Sequence, residues 1–241
     1  MKSSILIPKG NTQKGVNRQV YCYLSQSMDL KQPLKMIDVP CGDGTFAEFI
    51  KKNHPQVQMT GIDFSPSVTA KNFAFHKALA HDFFRSEKPS NVDVITCISG
   101  VMCFDGITEL FQMFHQALKS GGALIVTNDN VMTIRDRLSF IFFGQFKRFK
   151  LCYGKYEGNW NLVLPQALQM LFERHDFKKF QVSYTSIYTE DYLFFPLAIL
   201  IYPVFFVYLM TRKSHLSRPQ RRNLFPFKSL LARHYVMFGR K

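Results

Sequence analysis

The last 31 residues of the chain hold no aspartate or glutamate, yet they carry nine lysines and arginines. Over the whole chain 17 acidic residues face 31 basic ones for a net charge of +14, so that tail supplies +9 and the first 210 residues only +5. Such an imbalance suits an anionic partner, either a membrane face or a nucleic acid. Cysteine is scarce as well: five residues (Cys22, Cys41, Cys97, Cys103, Cys152), odd in number and without metal-pair spacing. That excludes a disulfide miniprotein and predicts a reduced, intracellular chain. With 13 Gly, 11 Pro and 46% hydrophobic residues, a collagen-like repeat and an intrinsically disordered chain are also excluded. No internal repeat or low-complexity tract is evident. Lys2 is followed only by Ile5-Leu6-Ile7 before Pro8, so no secretory leader is expected. What is abundant is phenylalanine, 25 residues, many of them after residue 138. A length of 241 residues suits one α/β domain with decorations.

Between residues 35 and 129, short apolar runs alternate with helix-length segments. Residues 36–39 read as a buried strand, ended by Pro40-Cys41-Gly42-Asp43-Gly44, and residues 45–52 as a helix with Phe46, Phe49 and Ile50 on one face. Further strands are expected at 59–64, 78–83, 92–98 and 123–127, with a helix starting near Ser65-Pro66. A helix over 107–118 is expected to close on Ser120-Gly121-Gly122 as its C-cap. Residues 180–187 and 234–241 read as the final pair. This order implies a doubly wound, mainly parallel sheet that binds ligands at the strand C-termini.

Three of those strand ends carry chemistry. Gly42 and Gly44 let the backbone approach a ligand at a helix N-terminus. Asp63, in Gly61-Ile62-Asp63, sits 19 residues beyond Gly44, where an acid can accept both hydroxyls of a ribose. Asp82-Phe83 supplies an acceptor for an adenine amine and a ring to pack on it. Three strand ends converging on one nucleoside are far more specific than any one Gly-x-Gly turn.

Residues 37–44, Ile-Asp-Val-Pro-Cys-Gly-Asp-Gly, resemble the first motif of class I S-adenosylmethionine-dependent methyltransferases, in the variant with Pro for the first glycine. Gly61-Ile62-Asp63 and Ala80-His81-Asp82-Phe83 resemble their second and third motifs, and residues 121–126 their fifth strand. Asn130-Val131, Arg135 to Phe140 and Gly144-Gln145-Phe146 resemble a bacterial subgroup linked to lipid or envelope metabolism. The resemblance implies a seven-stranded Rossmann-like fold with S-adenosyl-L-methionine as cofactor. By that resemblance Asp38, Gly42 and Gly44 would line its methionine part, Asp63 would take the ribose and Asp82 and Phe83 the adenine, with Pro40, Cys41, Phe64 and Ser99 also expected to bind the cofactor. Relatives have Pro-Asn where this chain has Asp129-Asn130. They often have Gly-His-x-Asn where this chain has Gly158-Asn159-Trp160-Asn161, so the resemblance supplies no general base. The catalytic residues therefore stay unassigned, with Ser99, Asn130 and Tyr153 as candidates by position.

A metal is not expected: hard cations want several oxygen ligands, and the fourth strand ends in Ser99-Gly100-Val101 with Asp105 as the nearest acid. Asp129-Asn130 reads as a turn. Nucleic acid is the lesser reading of the basic tail. Ser99-Gly100-Val101-Met102 is not the polar-Pro-Pro-aromatic turn of amine methylation of bases. Cys97 lies in an apolar strand, Cys103 lacks a supporting motif, and the tail lacks interleaved stacking aromatics.

Residues 193–210 form an uncharged apolar run, borderline in length for a membrane span. A single crossing would strand the last strand on the wrong side, and Pro203 is expected to split the run into pieces too short to cross and return. That leaves a buried lid or an interfacial anchor, with Arg212, Lys213, Arg218, Arg221 and Arg222 adjoining it. Residues 134–149 repeat the mixture of apolar and basic side chains. The expectation is a single domain over 1–241, with a substrate-cap segment at 131–160 and an apolar and basic membrane-associating insertion at 188–232. It would be cytoplasmic, peripherally bound to an anionic membrane face, and would methylate a lipophilic small molecule. A non-catalytic membrane scaffold with this fold is the alternative, and the intact cofactor motifs argue against it.

Overall fold

The computed structural model describes residues 6–65, 72–150, 152 and 161–241. Its elements, in chain order, are α1 (Val16–Ser27), β1 (Leu34–Asp38), α2 (Thr45–Asn53), β2 (Val57–Asp63), β3 (Ala74–Lys77), α3 (Ala80–Glu87), β4 (Val92–Ile98), α4 (Ile107–Ala117), β5 (Leu118–Asp129), α5 (Ile134–Phe143), α6 (Pro165–Arg174), β6 (Lys178–Thr185), α7 (Phe195–Thr211), α8 (Arg218–Leu224) and β7 (His234–Arg240). Seven strands form one sheet in the order β3-β2-β1-β4-β5-β7-β6. The pairs from β3 to β5 are parallel; β7 runs antiparallel to both β5 and β6. The order reverses between β1 and β4, so their C-terminal ends open the crevice where ligands bind in such sheets. Strands β4, β5 and β7 are buried on both faces, which is why they read as continuous apolar runs.

One core lies on the α3, α4 and α6 side, where the Phe111, Phe114, Phe172 and Phe177 rings pack together edge-on or tilted. The other lies under α1 and α2, around Val16, Val20, Leu24, Phe46 and Ile50. A third, small cluster of Ile134, Ala198, Leu230 and Leu231 fastens α5 and α7 to the body.

Several expectations are corrected. Residues 78–83 are not a strand: Ala80, Phe83 and Phe84 are buried at i, i+3 and i+4, one face of helix α3. The third strand is the half-exposed edge β3, whose residues leave little apolar alternation to read. Helix α4 ends at Ala117, and Leu118 already pairs with Val92 in β5, so Ser120-Gly121-Gly122 belongs to a strand rather than a C-cap. Pro203 does not split the apolar run. It stands on the exposed side of the continuous helix α7, where a missing N–H is cheapest to lose. Nor is α7 a buried lid. Leu193 is 79%, Leu200 71% and Val204 72% exposed. Thr189–Thr211 is long and apolar enough to cross a membrane by length and composition. On α5, Ile141, Phe142 and Phe143 are likewise exposed. The helix start expected at Pro66, Tyr153 and most of the Gly158-Asn159-Trp160-Asn161 motif lie outside the described residues.

The tail's charge is only partly free. Arg221 closes the C-terminal end of α7 by donating to the carbonyls of Leu209 and Arg212. Arg233 pairs with Glu190 and Asp191, Arg240 donates to Gly121 and Ser27, and Lys241 to His115 and Leu118. Arg212, Lys213, Arg218 and Arg222 are exposed around the end of α7.

Phe172 is fully buried against Phe111, Phe177 and Phe180. Phe172→Ala is expected to destabilise the fold by about 3–5 kcal/mol in urea unfolding. A loss below about 1 kcal/mol would contradict this packing.

Candidate active site

The site is built where β1 turns into α2. Gly44 caps α2 with φ 78°, a left-handed conformation that glycine adopts without strain. Three bonds brace the turn: Gly44 N–H donates to Cys41 O at 2.9 Å, Thr45 N–H to Asp43 Oδ1 at 3.0 Å and Gly42 N–H to Asp63 Oδ2 at 2.8 Å. From the next strand, Gly100 presses on Pro40 so closely that a Cβ there would land on the proline ring. Together these segments enclose a cavity of about 150 Å³ lined by Asp38, Pro40, Cys41, Gly42 and Ser99, with Gly10 to Thr12 and Asn17 closing it from the N-terminal side.

Two acceptors face this cavity. Asp38 is fully buried, which pushes its carboxyl up to about 7 against the Thr96 hydroxyl donating to it at 2.6 Å. The nearby Asp63 and Asp43 carboxylates push the same way. Asn17 spends its amide N–H groups on the carbonyls of Pro8 and Lys9, leaving a buried Oδ1 with no hydrogen-bond partner among the described residues. A buried carboxyl and an orphaned carbonyl oxygen fit a cationic group, as a sulfonium amino acid carries. Cys41 is no nucleophile here: burial, then the Asp38 and Asp63 charges, hold its thiol protonated. Burial does the same for Cys97.

The far wall is a hydrogen-bonded chain. Ser99, at φ 53°, ends β4 in a left-handed conformation uncommon for a residue with a Cβ. Its Oγ lies 2.6 Å from Thr12 Oγ1 and 3.3 Å from Nε2 of His234. Its N–H donates to Thr127 Oγ1 at 2.9 Å. His234, fully buried at the start of β7, reaches Thr127 Oγ1 with Nε2 at 3.0 Å and Asp129 Oδ1 with Nδ1 at 3.2 Å. Arg148 binds the other Asp129 oxygen at 2.5 Å. Burial would raise the Asp129 carboxyl, but the His234 hydrogen bond and the Arg148 guanidinium hold it below its usual value. Beyond Asp129 opens a polar cleft of about 210 Å³ with Arg135, Lys147, Arg148 and Arg233 on its walls.

The residues singled out from sequence therefore divide. Asp38, Pro40, Cys41, Gly42 and Ser99 come together at the cavity, with Gly44 at its rim. Asp63 is buried and accepts from Gly42 N–H and Ser65 N–H, so it holds the loop as well as facing the nucleoside side. Phe64 beside it is exposed. Asp82 and Phe83 are not at a strand end: Asp82 is exposed in the first turn of α3 and Phe83 packs in the core. Asn130 donates to the carbonyls of Ser229 and Ala232 and accepts from Met132 N–H, a structural turn with no polar atom to spare. Sequence reasoning missed Thr12, Asn17, His234 and the pairing of Asp129 with His234.

Residues 37–124 match the family described as a methyltransferase domain. A demethylmenaquinone methyltransferase of Deinococcus radiodurans is 31% identical over 102 residues, 39% of this chain and 42% of that protein, so the match spans under half of that relative. A SAM-dependent methyltransferase from Archaeoglobus fulgidus superposes with TM-score 0.62 at 15% identity, covering 94% of this chain and 93% of that one. A phosphoethanolamine N-methyltransferase of Haemonchus contortus, solved with phosphomonomethylethanolamine and S-adenosylhomocysteine, gives TM-score 0.52 at 14% identity, covering 92% and 52%. The fold is thus that of the SAM-dependent methyltransferases. Residues 37–124 match a methyltransferase domain, and the cavity at the β1–α2 turn lies within that stretch, where S-adenosyl-L-methionine is the cofactor of such folds.

Asp38 must ionise to meet a cation, so donor affinity is expected to rise as pH increases through about 7. The unliganded fold moves the other way. A carboxyl raised from 3.8 to about 7 holds its proton better folded than unfolded, so stability falls as pH rises across that window. Calorimetry from pH 6 to 8 checks the affinity, and Asp38→Asn should bind weakly and without pH dependence. A pH-independent wild type would contradict the assignment. Asp63→Ala should cut affinity for S-adenosylhomocysteine at least tenfold. It should also lower the ligand-free melting point by roughly 6 °C or more, because two charge-assisted hydrogen bonds to the loop are lost. An unchanged melting point would remove its bracing role.

Proposed function

We propose that the protein transfers the methyl group of S-adenosyl-L-methionine to a lipophilic acceptor at an anionic membrane surface. One observation carries this reading: the uncharged helix α7 leaves Leu200 and Val204 open to solvent, as the turn before it leaves Leu193 and α5 leaves Ile141, Phe142 and Phe143. A contiguous apolar surface of this kind is unusual for a soluble monomer. The two helices are tied together by Leu138 packing on the α7 cluster and by Arg137 stacking 4.9 Å over Phe205. Arg212, Lys213, Arg218 and Arg222 follow directly, the pairing of apolar face and cations that interfacial anchors use. Both ends of the excursion return to one sheet, since β6 and β7 are paired, so a helix lying in the interface suits the topology where a single span does not. The likeness of residues in this chain to a quinone methyltransferase supports an apolar acceptor.

The chemistry is in-line displacement at an activated carbon, in which orienting the reactants and excluding water do most of the work. A membrane-docked mouth would let an apolar acceptor reach the sheet edge without crossing water.

Flotation with anionic vesicles over a salt series tests the docking. Leu200→Gln with Val204→Gln should weaken binding more than tenfold at every salt concentration, since burying these side chains contributes roughly 1.5–3 kcal/mol each. Lys213→Gln, Arg218→Gln and Arg222→Gln together should weaken binding at low salt only, at about 1 kcal/mol per charge near the surface. Wild-type protein that stays with the soluble fraction at low salt would sink the membrane reading.

A further inference from the structure

Methylating an acceptor that carries a proton needs somewhere for that proton to go, and the family-type histidine near residue 159 is absent. We propose that Ser99, His234 and Asp129 form a proton relay: Ser99 meets the acceptor, and His234, held by Asp129, takes the proton through it. The relay rests on methyl transfer as the reaction, not on the lipophilic nature of the acceptor.

The hydrogen bonds fix the roles. Asp129 is ionised and only accepts, so Nδ1 of His234 carries the ring proton toward it at 3.2 Å. Nε2 is then a bare acceptor, shared by the hydroxyls of Thr127 at 3.0 Å and Ser99 at 3.3 Å. Thr127 Oγ1 already accepts the Ser99 N–H, so its own hydrogen is free to point at Nε2 and swing aside. Ser99 is the member of the chain that opens on the cofactor cavity; His234 is fully enclosed. Thr12, from the segment before α1, fixes the serine hydroxyl from the other side at 2.6 Å. The left-handed backbone of Ser99 is the kind of costly conformation that a fold keeps at a working residue.

The acceptor's lone pair forms the bond to the methyl carbon while the carbon–sulfur bond gives its electrons to sulfur. The acceptor's proton moves to Ser99 Oγ as the serine's own proton moves to Nε2, leaving neutral serine and an imidazolium. Asp129 faces that cation directly. Once the product has left, the proton returns through Ser99 to water in the cavity, and no oxidant or other co-reactant is needed. Among the described residues, Arg148 shares Asp129, Cys103 approaches Asp129 from the turn after β4, Tyr235 lies near it, Arg135 and Lys147 line the cleft beyond it, and Arg233 is paired with Glu190 and Asp191. His234 acts through Ser99, so it is a positioning residue, and Ser99 is the catalytic one.

The first measurement uses no acceptor. In nitrogen-15 spectra of the wild-type protein the His234 ring should be the neutral Nδ1–H tautomer near pH 8, with a slowly exchanging, far-downfield proton that Asp129→Asn abolishes. An Nε2–H tautomer would overturn the relay outright. The second incubates the protein with methyl-labelled S-adenosylmethionine and an extract of its own cells, and counts total label, whichever phase it enters. His234→Gln and Ser99→Ala should each slow incorporation about 100-fold or more, while the affinity of His234→Gln for S-adenosylhomocysteine stays within threefold. The pH profile of the rate should differ between the wild type and His234→Gln. If His234→Gln fails to fold, Ser99→Ala and the spectra still decide. Variants that keep both the wild-type rate and its pH profile would refute the relay, even where label enters the lipid phase. Label confined to the aqueous phase would refute the lipophilic acceptor alone.

Discussion

The last strand has to slot between β5 and β6, and much else in the molecule follows from that pairing. Because β7 is hydrogen-bonded on both edges and buried on both faces, the chain between β6 and β7 must leave the sheet and come back to it on the same side. All of α7 and α8 is therefore an excursion with fixed ends, free to present an apolar surface but not to carry the tail elsewhere. The same register sets Asp129 opposite His234 and Thr127 opposite Val236. A strand that completes the core thus also delivers a buried imidazole to the end of the sheet where the cofactor cavity lies.

That edge concentrates buried carboxylates, and each is handled differently. Asp63 is satisfied by two backbone N–H groups and locks the glycine turn. Asp129 is met by a histidine and an arginine. Among the described residues Asp38 has only the Thr96 hydroxyl, too little to offset its burial, so its charge is unfavourable until a cation arrives. A site arranged this way is strained when empty of positive charge and relaxed when a cationic ligand fills it, so binding strength and pH sensitivity arise from the same buried group.

Much of the central sheet was legible in the sequence because its strands are buried on both faces and its first turn has a strict glycine pattern. Residues 36–39, 59–64 and 92–98 follow the observed strands to within a few positions. Legibility fell off where apolar spacing was ambiguous or the contact was remote. Phe83 and Phe84 belong to a helix face but stand in a run short enough to pass for a strand. Pro203 looked like a break, although one exposed turn of a helix tolerates it. The relay was invisible to local reading: 105 residues separate His234 from Asp129 and 87 separate Ser99 from Thr12. Asp129 was visible as half of a turn, and only the fold pairs it with a histidine read as the first residue of a strand.

The central claim is that the methyl group goes to an apolar acceptor presented at a membrane. The most direct measurement supplies methyl-labelled S-adenosylmethionine to the protein with an extract of its own cells, then separates organic from aqueous phases. The account predicts label in the organic phase, lost when the extract's membranes are removed beforehand. Label found only on protein or nucleic acid would contradict it.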